Sequence, residues 1–199
     1  MKALRVFLMT AALLGLLMTG AASAQGWLWG LTYEMSAPVG DLKEFSQDSW
    51  SWRGAGFEGR TFTAQELSVG FAVSWNVFHS RQTNVTWSQP GQDVTGTQSR
   101  DVNAVPIFAN MFWNWGERHG WRPFLGMNAG TMYTEYRVDL GLYSFRERNW
   151  HFAFAPEVGI RLPYDRWLGY FSVRWNYALG AGEIDEVSYI SFRVGIGLR

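Results

Sequence analysis

The sequence predicts an all-β fold, an eight-stranded antiparallel up-and-down transmembrane β-barrel, on three observations. Eight segments of period-two hydrophobicity follow one another along the chain, and a period of two marks strands whose side chains alternate between two faces. The connections alternate between short turns and long loops, the pattern of membrane barrels. Most of the 12 Trp residues fall near the ends of the segments, as expected where indole rings sit at a membrane–water interface. Past residue 19 no apolar run approaches twenty residues, so helical spanning is excluded and only a closed barrel can cross a bilayer.

The N-terminus carries the first element. Lys2 and Arg5 precede an apolar run from Val6 to Thr19, and "AASAQ" places Ala22 and Ala24 in a small-x-small pattern. This predicts a secretory signal at 1–24, cut after Ala24, and a single barrel domain at 25–199. The chain holds 17 basic and 17 acidic residues. Losing Lys2 and Arg5 leaves 15 against 17, a formal charge of about −2, and no basic surface for nucleic acid. With no cysteine, stability cannot come from disulfides.

The strands follow in order. The first, "WLWGLTYEMS", sets Trp27, Trp29, Leu31, Tyr33 and Met35 against Gly30, Thr32, Glu34 and Ser36. The second, Trp52 to Phe62, is glycine-rich and puts Glu58 and Arg60 on one face. The third, "LSVGFAVSWNVF", has a polar face of Ser, Gly, Ala and Asn, too thin for a soluble core but suited to a crowded lumen. The fourth, Val102 to Trp113, contains Pro106, which costs a ladder bond, and faces Val105, Ile107, Ala109, Met111 and Trp113 outward. The fifth, "WRPFLGMNAGTMYTEY", faces Leu125, Met127, Ala129, Thr131 and Tyr133 outward. The sixth, "HFAFAPEVGIRL", opposes Phe152, Phe154, Val158 and Ile160 to His151, Glu157 and Arg161. The seventh and eighth, "WLGYFSVRWNYAL" and "YISFRVGIGLR", place Arg174 and Arg193 on their inner faces. "TAQE", "GERHG" and "PYDR" are the short turns, and 82–100 reads as a mobile polar loop.

Two aromatic girdles are predicted. Trp27, Trp29, Trp113, Trp115, Trp121 and Trp167 fall at the turn end, and Trp50, Trp52, Trp75, Trp150 and Trp175 near the loop end, with Trp87 out in a loop.

Eight strands enclose a lumen that side chains alone can fill. The inward charges are Glu34, Glu58, Arg60, Glu157, Arg161, Arg174 and Arg193, with His151 as a further candidate. Because buried charges must be paired, the sequence predicts a network centred on Glu157 with Arg174 and Arg193, and with Glu58 and Arg60 contributing from the opposite wall. Such a network reads first as a plug and second as a gate. Inward Phe108, Phe124, Tyr170 and Tyr189 are candidates to line one apolar pocket in the upper lumen, or simply to fill space.

Catalysis is not expected. His79 and Ser80 are adjacent and therefore face opposite sides of a strand, which defeats the nucleophile-and-base arrangement. Three scattered His and no Cys give no metal site, and no cofactor is implied.

The signal, "VPIFANMFWNW" followed by "WRPFLGMNAG", and "FAFAPEVGIRL" together resemble the small eight-stranded outer-membrane barrels of the OmpA, OmpX and OmpW kind, over the whole exported chain. The resemblance implies an outer-membrane location, lipid and lipopolysaccharide as surroundings, delivery by the outer-membrane assembly machinery, and a monomer. It further implies a structural or surface-interaction role, with passage of small apolar solutes as the alternative. Such barrels typically end in Phe, whereas this series ends in Leu198 and Arg199. Trp87, Arg146 and Arg148 are loop residues that could meet lipopolysaccharide or a partner.

Overall fold

The computed structural model describes residues 27–198 apart from 48–49, 65, 90–91, 117–119, 141–142, 165 and 183–184. The signal at 1–24, His119 and Arg199 therefore lie outside the described residues. Eight strands follow in sequence: β1 (Trp27–Val39), β2 (Ser51–Phe62), β3 (Leu67–Gln89), β4 (Gln92–Asn114), β5 (Arg122–Leu140), β6 (Tyr143–Tyr164), β7 (Trp167–Ala178) and β8 (Val187–Leu198). One short helix, α1 (Asp41–Ser46), lies between β1 and β2. Each strand pairs antiparallel with the next, and β8 pairs with β1 to close the barrel. Closure satisfies every strand edge, which an open sheet cannot do in a hydrocarbon medium.

Side-chain alternation decides which face is which. Along β7 the pattern of exposure alternates at every residue, with Leu168, Tyr170, Ser172, Arg174 and Asn176 buried. On β6, Phe152 and Val158 are 51% and 55% exposed while Glu157 between them is 1% exposed. The apolar face thus points away from the barrel and the charged face points in, the inverse of a soluble sandwich. Ten of the Trp side chains are among the exposed large residues, Trp29, Trp113, Trp115, Trp121 and Trp167 at the turn end and Trp50, Trp52, Trp75, Trp150 and Trp175 towards the other. Trp27 is half-buried and stacks on Trp29 with ring centroids 5.5 Å apart.

The long loops are where structure and sequence differ. Residues 82–100, read as an irregular loop, continue the β3–β4 ladder: Gln82 pairs with Gln98, Val85 with Gly96 and Gln89 with Gln92, across one register shift. Only residues 90–91 separate the two strands. The β5–β6 connection shrinks likewise to residues 141–142. Trp87, Arg146 and Arg148 accordingly belong to strands, not loops. The cause is that a backbone ladder is indifferent to side-chain polarity once the strand has left the bilayer. The "TNVTW" and "DVTGT" stretches are also rich in β-branched residues that favour extended chain. Unequal loop length thus becomes unequal strand length, with β3–β4 and β5–β6 standing out as hairpins.

The interior is layered. Near the turn end Phe112 and Phe124 meet edge to face at 5.3 Å, beside a small cluster of Leu28, Leu168 and Tyr170. The charged residues occupy the middle. Above them an apolar cluster of Phe78, Val102, Ala104, Phe108, Met132, Ala153, Ala155, Ala178, Val187 and Tyr189 is completed from the loop end by Leu42 of α1.

Candidate functional site

The mid-lumen charge layer draws six charged residues from five strands: Glu34 of β1, Glu58 and Arg60 of β2, Glu157 of β6, Arg174 of β7 and Arg193 of β8. Arg193 of β8 is its hub: Nε donates to Glu34 Oε1 at 2.9 Å, Nη1 to Glu157 Oε1 at 2.6 Å, and Nη2 to Glu58 Oε2 at 3.2 Å. Those three carboxylates come from β1, β6 and β2, so one guanidinium ties together opposite walls. Arg174 gives Nη2 to Glu34 Oε2 at 3.2 Å and to Ser74 Oγ at 2.8 Å. Arg60 bonds Glu58 at 2.9 Å and lies 3.8 Å from Glu157. All six of these charged residues are at most 2% exposed.

Neutral side chains add further bonds to two of the carboxylates. Asn76 Nδ2 donates to Glu34 Oε2 at 3.2 Å, Ser172 Oγ to Glu157 Oε1 at 2.8 Å, and Asn128 Nδ2 to Glu157 Oε2 at 3.1 Å. Enclosed ions require such bonds, since the cost of removing them from water is recovered only by close, multiple contacts. The carboxylates are better served than the cations, for Nε and Nη1 of both Arg60 and Arg174 are buried with no hydrogen-bond partner among the described residues. Gly56 makes room for the Glu34 carboxylate. A Cβ there would sit 2.8 Å from Glu34 Oε1, so any larger residue on β2 would displace the carboxylate.

The sequence placed these residues on the right face but drew the centre at Glu157. In the structure the centre is Arg193, and Arg174 turns to Glu34 although its register partner on β6 is Glu157. Arg161, grouped with the network by the sequence, stands apart from it. Its Nη1 donates to Asn114 Oδ1 at 2.5 Å and its guanidinium lies 4.6 Å from the Phe124 ring centroid. Arg60 leans on the same aromatic pair, 3.9 Å from the Phe112 centroid, so ring faces take the positive charge that carboxylates do not.

The four aromatics named for one apolar pocket divide into two pairs. Phe108 and Tyr189 belong to the upper apolar cluster, whereas Phe124 and Tyr170 flank Arg60 below the charge layer. Phe108, Phe124 and Tyr189 are at most 1% exposed and Tyr170 is 3% exposed. Tyr170 is seated by Gly195, where a Cβ would fall 2.6 Å from the phenol oxygen.

The two described histidines are structural in their contacts. His151 has Nδ1 2.8 Å from the Leu179 carbonyl, which can only accept, so Nδ1 carries the proton; Nε2 meets the Thr134 hydroxyl at 2.8 Å. His79 takes Asp101 as partner, while Ser80 faces the other side of β3 against Arg100. Among the described residues no three His, Cys, Asp or Glu gather as metal ligands would.

The loop end holds a feature that no pattern in the sequence signals. A cleft of about 560 Å³ opens above α1, lined by Asp41 and Phe45 of the helix, Tyr136 and Val138 of β5, Phe145, Arg146 and Glu147 of β6, and Asp185 and Glu186. Burial, and then the Asp41, Asp185 and Glu147 carboxylates, push the Tyr136 hydroxyl above its ordinary value. On the outer side of this hairpin, above Tyr133 and Trp150, Arg146 and Arg148 both pair with Glu135, at 3.3 and 2.9 Å. Nearby, the Ser144 hydroxyl and then Arg137 hold the Asp139 carboxyl below its ordinary value.

No family model matches the chain, and no curated protein is similar to it in sequence. Solved structures do match. The neisserial surface protein A, NspA, superposes with a TM-score of 0.59 at 13% identity over 88% of this chain and 98% of that one. Ail, the attachment invasion locus protein of Yersinia pestis, gives 0.54 at 11% identity over 86% and 96%. The outer membrane protein OprG of Pseudomonas aeruginosa gives 0.52 at 13% identity over 88% and 96%. The fold is therefore that of the small eight-stranded outer-membrane barrels, and at such identities the likeness concerns the fold alone.

Proposed function

We propose that this protein is a closed outer-membrane barrel that serves the envelope structurally and through its protruding hairpins, without conducting solutes and without catalysis. The signal at 1–24 directs its export, the outer-membrane assembly machinery inserts it, and it stands as a monomer in lipid and lipopolysaccharide. The observation that carries the reading is the Arg193 hub: one buried guanidinium bonded to carboxylates of three other strands ties opposite walls together across the middle of the lumen, which supports a lumen filled by its own side chains. An outward belt of Leu31, Met127, Phe152, Val158 and Ile196, bounded by exposed Trp residues, supports the membrane setting. Arg137, Arg146 and Arg148 above that belt suit contact with phosphate-bearing lipid.

Passage of small apolar molecules is the second reading of the sequence. The split of its four candidate aromatics to either side of the charge layer weighs against a single pocket. Swelling of liposomes carrying the purified protein tests the proposal: vesicles in isotonic arabinose should stay as tight as protein-free ones, and swelling in proportion to protein content would contradict closure.

A further inference from the structure

We propose that α1 is a displaceable stopper in the loop-end mouth, a second seal in series with the charge layer. The proposal rests on the closed-barrel reading and adds a moving part to it. At six residues, α1 is far shorter than a helix that holds itself in water, and it has no side-chain cap at its N-terminus. Its position must therefore come from what it packs against. Those contacts are Leu42 and Ser46, each 1% exposed, with Leu42 inserted into the upper apolar cluster; Phe45 edge-on to Tyr136 at 4.9 Å and 5.5 Å below the Arg100 guanidinium; Arg100 Nη1 donating to the Phe45 carbonyl at 3.0 Å; and Gln82 donating to Gln47 just past the helix.

The ends of the helix are built to turn. Gly40 has φ +59° and Gln47 φ +51°, so the helix is bracketed by left-handed residues instead of running into β1 or β2. It also has room to move, because the open cleft of about 560 Å³ is bordered on one side by Asp41 and Phe45 of the helix itself. Across that cleft Val138 and Phe145 offer apolar surface to a displaced Phe45 or Leu42. Lifting the helix uncovers the packed apolar cluster of Phe78, Val102, Met132 and Ala153, while the Arg193 hub below stays intact. The upper end of the lumen then becomes accessible from the loop side without the barrel opening through.

Single thiols report this, because the chain has no cysteine of its own. Met132→Cys lies in the upper apolar cluster and Asn110→Cys in the lumen wall nearer the turn end, both at buried positions. Each is placed in the full barrel in lipid nanodiscs, with and without Leu42→Ser, and exposed to a charged thiol reagent. Met132→Cys should react slowly but measurably, and at least tenfold faster with the Leu42 change; Asn110→Cys should stay unreactive in both. Equal rates at Met132→Cys, or no reaction in either background, would overturn the stopper. Labelling of Asn110→Cys once Leu42 is changed would overturn the two-seal arrangement. Folding is checked by heat-modifiable mobility, with Ala153→Cys as the second reporter if Met132→Cys fails to fold. Conductance of the Leu42→Ser protein separates the two readings: steady openings would sink the closed charge layer, while the labelling rates still judge the stopper.

Discussion

Arg193 carries more of the interior than any other single side chain, because three carboxylates depend on it and all are out of water. Removing one member of such a buried set leaves the others uncompensated, a loss of about 3–5 kcal/mol. Arg193→Met is expected to cost that much in equilibrium urea unfolding from lipid vesicles. Arg161→Met should cost clearly less, since Arg161 satisfies an amide and an aromatic face and strands no carboxylate when removed; the reverse order would refute the assignment of the hub. The sequence could show that Glu157, Arg174 and Arg193 face inward, since alternation fixes the face. It could not choose the hub, because that depends on how far a tilted strand carries each residue round the barrel and which carboxylate a long guanidinium then reaches. Asn76, Ser74 and Ser172, which add to the bonding, are too ordinary in composition to have stood out.

At the level of elements, all eight strands were legible, down to the inward faces of β7 and β8. Their outer limits were not. Polarity in 82–100 suggested a loop, yet the ladder runs on through paired residues such as Arg81 with Ser99 and Gln82 with Gln98. Hydrogen exchange distinguishes the two descriptions: amides of residues 77–82 and 98–102 should exchange markedly more slowly than those of 179–182, which lie between β7 and β8. Equal exchange in both regions would return 82–100 to an irregular loop. The helix α1 was invisible because "DLKEFS" is too short to display a 3.6-residue period, and its buried side consists of Leu42 and Ser46 with Phe45 partly covered.

For the whole molecule, the sorting of Trp residues and the inverted faces follow from one cause, a barrel whose solvent is lipid outside and its own polar side chains within. That predicts depth-dependent quenching: in vesicles, lipids brominated near the headgroup should quench the Trp fluorescence more than lipids brominated near the chain ends, because Trp29, Trp113 and Trp167 lie at one end of the strands and Trp52, Trp75 and Trp150 towards the other. The opposite order would remove the girdles. The same view makes the lumen a filled interior, with aromatic, ionic and apolar layers stacked from the turn end upward. The most direct test of that claim is planar-bilayer conductance of the purified protein. The filled lumen predicts a silent membrane at applied voltage, and steady nanosiemens-scale openings that scale with the amount of protein inserted would contradict it.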